Sequence, residues 1–330
     1  MRFRNLSTGL VSLACVAGVL LLAGVSCALH APARRSGTGD ALAPADPTVT
    51  RDRAMWATPR ATTSTPPARP FSTPGAVGRD IRGVASPTPT PTRVQVFLDP
   101  GHGGVDTGAI GITEDGTEVD EKAVALAIAL RTADRLRHDG ISVALSRTDD
   151  SLPGATAADY TADGSMLTPQ GVLADLQRRV DRANASGARL LLSIHLNAFD
   201  DPSERGTETL YDSSRPFAAR SERFAELIQT SLMRRFRAQG WDTPDRGVVD
   251  DLELVTDRFG TLGVGYHHLV MLGPGEPGIL RPSMMPGALS ESLFLSNPAE
   301  ATAAARADVQ DLIASAYTQA IEQFLRENPS

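Results

Sequence analysis

Leu190-Leu191-Leu192-Ser193-Ile194-His195-Leu196-Asn197 is the stretch on which the fold turns. Leu190 to Ile194 is a short, nearly continuous apolar run. A strand covered by helices on both faces reads this way, whereas a strand with one wet face alternates. A buried strand ending in histidine and asparagine also delivers polar groups to the edge of its sheet, where sites in α/β folds collect.

Reading outward, Val94 to Leu98 is a second apolar run and predicts another buried strand. Glu121 to His138 has helical spacing through Val124, Ile128 and Leu136, and stops at Gly140. Ile141 to Leu145 reads as a strand, and Leu173, Leu176, Val180 and Ala183 mark a helix with Gly187 beyond its end. Thr207 to Tyr211 alternates as an outer strand does. Phe217, Phe224, Ile228 and Leu232 share one face of a long helix ending near Gly240. Leu269 to Leu272 and Ala288 to Phe294 are further strand candidates, and Val309, Ile313, Ala316, Ala320 and Phe324 make a closing amphipathic helix. Residues 150–168 and 242–266 read as loops. Strands alternating with helices predict one α/β domain, with a mostly parallel or mixed twisted sheet and helices on both faces.

The 330-residue chain carries a net charge of -7, which argues against a nucleic-acid partner, usually met by a basic surface. Arg2 and Arg4 precede an uncharged run to Leu29, with the small residues Ser26 and Ala28 near its end. Residues 1–30 therefore read as a cleaved export signal, or else as an uncleaved membrane anchor; acylation of Cys27 ranks third, because Gly24 stands where a bulky aliphatic is expected. Either way the remainder is placed outside the cytoplasm, secreted or N-terminally anchored. Residues 31–92 are rich in Pro, Thr and Ala, too poor in large apolar side chains to offset their ordering entropy, and read as a disordered linker. Residues 93–330 are left as the folded domain. Its sequence contains no cysteine, so a disulfide framework, a thiolate metal site and a cysteine nucleophile are excluded there.

Three positions suit chemistry. His102 follows the first strand in Asp99-Pro100-Gly101-His102-Gly103-Gly104, His195 ends the Leu190 strand, and Glu291 interrupts an apolar strand. Each has a plainer reading: a tight glycine turn, a core histidine bonded to backbone, and a buried acid paired with an arginine. Together they are more suggestive. Two neutral imidazoles and a carboxylate bind zinc and leave a fourth position open, and a further carboxylate can shuttle protons. The acids available are Glu114, Asp115, Glu118, Asp120, Glu121 and Glu291.

The ordered series resembles the zinc-dependent N-acetylmuramoyl-L-alanine amidase family. It comprises Asp99 to Gly104, Glu121-Lys122 opening a helix, Ser193 to Asn197, and Glu291 ahead of Phe294-Leu295-Ser296-Asn297-Pro298. Ser146-Arg147-Thr148, Arg179, Asn184, Gly206 ahead of Glu208, and Arg246-Gly247-Val248 fall between them in the same order. The resemblance, spanning about residues 94–326, implies hydrolysis of the amide joining N-acetylmuramic acid to L-alanine in peptidoglycan. It implies His102, Glu121 and His195 as ligands of Zn2+, with Glu118 the fallback for Glu121, and Glu291 as catalytic acid/base. Arg179, Asn184 and Asn197 also match family positions, with structural hydrogen bonding an equal expectation. Peptidoglycan is the implied partner, and a protein activator is left open. Two departures stand out. Leu293 replaces the usual glycine before the phenylalanine, and the stretch from Arg246 to Glu291 is long and carries His267-His268. The competing functions are a non-catalytic wall-binding or regulatory module on the same fold, and a zinc peptidase acting on stem peptides.

Overall fold

The computed structural model describes residues 93–253 and 265–329. The expected export segment 1–30 and linker 31–92 lie outside the described residues. Among the described residues, no helix is long and apolar enough to cross a membrane.

Strand β1 (Val96–Pro100) leads into a small antiparallel hairpin of β2 (Ile110–Ile112) and β3 (Glu118–Asp120), and helix α1 (Glu121–His138) follows directly. Next come β4 (Val143–Leu145), α2 (Pro169–Ser186), β5 (Leu190–Asn197), β6 (Thr207–Tyr211), α3 (Ala218–Ala238) and β7 (Asp245–Asp250). The chain closes with β8 (Gly287–Phe294), α4 (Pro298–Ala304) and α5 (Ala307–Glu327). The six-stranded sheet has the order β4-β1-β5-β8-β6-β7. β4, β1, β5 and β8 run parallel, while β6 runs antiparallel to β8 and parallel to β7. The expected mixed α/β sheet is therefore present.

The two faces are covered differently. Ser290 and Ser292 reach Tyr317 of α5, and Thr209 reaches Gln229 of α3, so those residues mark the face under α1, α3 and α5. Alternation puts Phe97, Leu191, Leu289 and Leu210 on the other face, where they pack with Val180 and Ala183 of α2. Helix α2 is closed by standard means. Thr168 accepts a hydrogen bond from Gly171 N, Pro169 occupies the first turn, and Gly187 at φ 66 ends it in the left-handed region.

Several local readings change. Leu269 to Leu272 is not a strand. It is a buried turn whose amides from Leu272 and Gly273 both bond back to Leu269 O, and its apolar side chains complete the α2 face of the core. A short apolar run has no periodicity to separate a strand from a buried turn. Thr207–Tyr211 is not an outer strand either, because β7 pairs beyond it. β7 lies in residues 242–266, expected to be loop. Its half-buried Asp245-Arg246-Gly247-Val248-Val249-Asp250 has too few apolar residues to signal a strand.

Candidate metal centre

The C-terminal edge of β1 and β5 is built around His102, which adopts φ 60, a left-handed conformation that side chains other than glycine rarely take. Two buried arginines hold the loop there. Arg179, from α2, donates to Pro100 O at 2.8 Å and His102 O at 2.6 Å. Arg147 donates to Pro100 O at 3.1 Å, Gly101 O at 2.7 Å and Lys122 O at 2.8 Å, so it also ties the loop to the start of α1. Arg179 is itself paired with Asp99 at 3.0 Å and Asp175 at 2.7 Å. Burial works to raise Asp99, but the Arg179 charge, with help from Ser146, His195 and Ser193, holds its carboxyl below the usual range. Replacing Arg179 by Met is expected to destabilise the protein by about 3–5 kcal/mol, because it strands buried carboxylates. Urea denaturation checks this; a loss below about 1 kcal/mol would mean that the pairs contribute little.

His102, Glu121 and His195 converge. One ligand atom from each lies within 4.8 Å of the others. His102 Nε2 is 3.2 Å from Glu121 Oε2, and His195 Nδ1 is 2.9 Å from Glu121 Oε1. Glu121 is 1% exposed and is fixed by backbone donors, Ala109 N to Oε2 and Leu196 N to Oε1. His102 Nδ1 lies 2.9 Å from both oxygens of Asp106. A carboxylate only accepts, so Nδ1 carries the proton and Nε2 is turned toward Glu121. Burial disfavours charge on His102, yet Glu121 and Asp106 push it up to about 10. Burial likewise works to raise Glu121, but the two imidazoles hold it well below the usual carboxylate range. This is a pocket that accommodates positive charge. Its nitrogen and oxygen donors are those zinc takes, and the Asp106–His102 contact is the carboxylate–histidine support common behind such ligands. The donor set therefore fits a zinc ion.

Glycine is required where these side chains crowd the backbone. A Cβ on Gly101 would stand 2.2 Å from His195 Cε1, and one on Gly108, at φ +66, would stand 2.5 Å from Glu121 Oε2.

Glu291 is placed by the sheet. It is paired in register with His195 on β5 and with Glu208 on β6, so the three side chains form a row on the α2 face. Glu291 is 2% exposed. Burial raises the Glu208 carboxyl, which receives Asn197 Nδ2 at 2.7 Å and Arg246 Nε at 3.3 Å. Arg246 in turn lies over the Phe294 ring at 4.9 Å. The β5–β8 register shifts beyond His195, so that Asn197 pairs with Phe294; the buried Leu293 lies in that irregular stretch, with Glu291 still opposite His195.

The other candidates fall elsewhere. Glu118 is exposed on β3 and outside the cluster, as are Glu114 and Asp115. Asn184 pins the 282–284 segment through Pro282 O and Met284 N, a structural role. His267 is exposed, and His268 pairs with Asp212 rather than with this centre. Asp106 was not among the residues singled out by sequence; an acid four positions after a loop histidine was the available signal.

The sequence matches the family described as N-acetylmuramoyl-L-alanine amidase over residues 96–323. Over 232 residues it is 31% identical to a germination-specific N-acetylmuramoyl-L-alanine amidase of Bacillus subtilis, covering 70% of this chain and 80% of that protein. Over 245 residues it is 29% identical to the amidase AmiA of Salmonella typhimurium, covering 69% and 75%. Its fold is similar to the CwlD amidase from Clostridioides difficile, solved in complex with the GerS lipoprotein. The TM-score is 0.52 at 27% identity, over 71% of this chain and all 100% of that one.

Proposed function

From the premise that the chain belongs to the N-acetylmuramoyl-L-alanine amidase family, we propose that His102, Glu121 and His195 hold a zinc ion and that Glu291 transfers the protons of amide hydrolysis. The reaction is hydrolysis of the bond between N-acetylmuramic acid and L-alanine in peptidoglycan. The observation that carries the site assignment is the convergence of His102, Glu121 and His195 next to a buried Glu291 in register with His195.

When bound, zinc supplies Lewis acidity that polarises the scissile carbonyl and acidifies an attacking water. The residues do the rest. Glu121 is locked by two backbone amides, and His102 is held by Asp106 from behind, so the donors are set before a ligand arrives. Glu291, one strand spacing from His195, takes a proton from the attacking water and returns it to the departing amine of L-alanine. Glu291 is 2% exposed, so the proton it takes is held close to the reacting bond and not passed to bulk water.

Mass spectrometry of purified peptidoglycan incubated with the protein tests this reading. Intact stem peptides with a free L-alanine N-terminus are expected, and their release should stop with a chelator and resume on adding zinc. Cleavage within the peptides would point instead to a peptidase, and release unaffected by metal removal would refute the zinc assignment.

We further read residues 1–30 as an export segment and 31–92 as a tether that lets residues 93–330 reach the wall. Deleting residues 31–92 is expected to leave melting temperature and soluble activity nearly unchanged. A fall beyond about 4 °C, the shift that roughly 1 kcal/mol produces in a domain of this size, would show that the segment packs on the domain.

A further inference from the structure

A second cluster stands apart from the first. Asp212 follows β6, Asp251 follows β7, and His268 opens the buried turn at Leu269. One ligand atom from each lies within 4.8 Å of the others. The antiparallel course of β6 carries Asp212 away from Glu208, which sits in the row with His195 and Glu291. Four residues of strand separate Glu208 from Asp212, roughly 13 Å at the usual rise. The cluster is thus at the opposite edge of the sheet from the first centre.

Its internal arrangement is that of a ligand set. Asp212 is 1% exposed and Asp251 is 0% exposed. Each carboxylate has one oxygen anchored by a backbone amide: Ser214 N donates to Asp212 Oδ1 at 2.7 Å, and Leu269 N donates to Asp251 Oδ2 at 2.8 Å. The other oxygens both face His268 Nδ1, Asp212 Oδ2 at 2.7 Å and Asp251 Oδ1 at 3.5 Å. Asp251 Oδ1 is buried and receives no hydrogen bond. A buried carboxylate oxygen without a hydrogen-bond donor is costly, and this one faces the same imidazole nitrogen as Asp212 Oδ2. A tetrahedral zinc ion, with bonds of about 2.0–2.2 Å, holds its ligand atoms about 3.4 Å apart. The Asp251–His268 separation already matches that, and the Asp212 contact needs to open by well under an ångström. His268, 16% exposed, leaves a path for the ion.

We propose that Asp212, Asp251 and His268 form a second divalent-cation site, structural rather than catalytic, that takes zinc. An imidazole with two carboxylates suits a borderline transition ion better than calcium, which prefers more oxygens. The ion would join the ends of β6 and β7 to the turn that completes the α2 face of the core. The competing occupant is a proton: burial, together with the Asp212 charge, pushes the Asp251 carboxyl up to about 8, and the protonated acid can donate to its neighbour.

Zinc content per chain, measured after dialysis against zinc and then buffer, decides between them. The full chain is compared with Asp251→Asn, with His268→Gln, and with the His102→Ala, His195→Ala double variant. The expected pattern is two equivalents in the parent and one in each of the other three. Zinc should also raise the melting temperature of the double variant, where only the second site remains, and the rise should vanish when Asp251→Asn is added. Far-UV circular dichroism and the zinc-free melting temperature verify that each variant folds; if Asp251→Asn does not fold, His268→Gln and the double variant still decide. A double variant that folds but binds no zinc, or an Asp251→Asn or His268→Gln protein with the parent's zinc content, would overturn the proposal. A parent that binds one equivalent, kept in the double variant and lost with Asp251→Asn, would overturn the catalytic ligand assignment and leave this proposal standing, so the two readings fail separately.

Discussion

Glu291→Gln is expected to lower stem-peptide release by roughly 10²–10⁴, the usual contribution of a general acid–base group, while zinc content and melting temperature stay near the parent values. The amide is close in shape to the acid but takes no proton from water and returns none to the leaving nitrogen. If Glu291 only satisfied buried donors between β5 and β6, the same change would lower stability and leave the folded fraction active. Release, zinc and melting temperature measured on one preparation separate these outcomes, and near-parent release from a folded, zinc-loaded variant would rule out the proton-transfer role. Leu293 makes this position informative. It stands where the family usually has glycine, in the irregular stretch of β8, yet Glu291 keeps its place opposite His195.

Removing both imidazoles has a comparably large expected effect. The His102→Ala, His195→Ala variant is expected to lose the zinc of this centre and to release stem peptides at the background rate. The metal's stabilisation of the transition state is several kcal/mol, hence about 10³-fold or more. The fold should persist, since the loop carrying His102 is gripped by Arg147 and Arg179 through its backbone carbonyls and not through the imidazole. A variant that keeps its zinc complement, or half its turnover, would remove His102 and His195 from the ligand set.

Much of this architecture is readable in the residues because the forces involved are local or periodic. β5 is buried on both faces and reads as an apolar run, and β8, equally buried, shows apolar residues on either side of Ser290-Glu291-Ser292; α1, α2, α3 and α5 bury one stripe each and show helical spacing. His102, Glu121 and His195 are far apart in sequence, and only the parallel pairing of β1 with β5 and the start of α1 bring them together. No spacing rule reports such an encounter, so the ordered resemblance carried it. What stayed illegible had no periodic signature. β7 is half-buried and polar, the Leu269 turn is apolar for tertiary reasons, and Asp106 supports the histidine beside it and the Gly108 amide. Asp212 and Asp251 look like ordinary loop acids until the reversal of β6 and the fold-back of the 266–272 segment set them beside His268.

The row formed by His195, Glu291 and Glu208 runs across the strands, perpendicular to their direction. Its dimensions are therefore set by the backbone hydrogen-bond ladder, which acts as a ruler with divisions of about 4.8 Å. Loops can lengthen without changing the spacing of the backbones that carry His195 and Glu291. The same ruler admits no fine adjustment. A one-residue slip of β8 would turn Glu291 to the opposite face altogether, so this spacing changes in whole steps or not at all. Differences in what such a site accepts would then arise in the surrounding loops, while the strand register keeps His195 opposite Glu291.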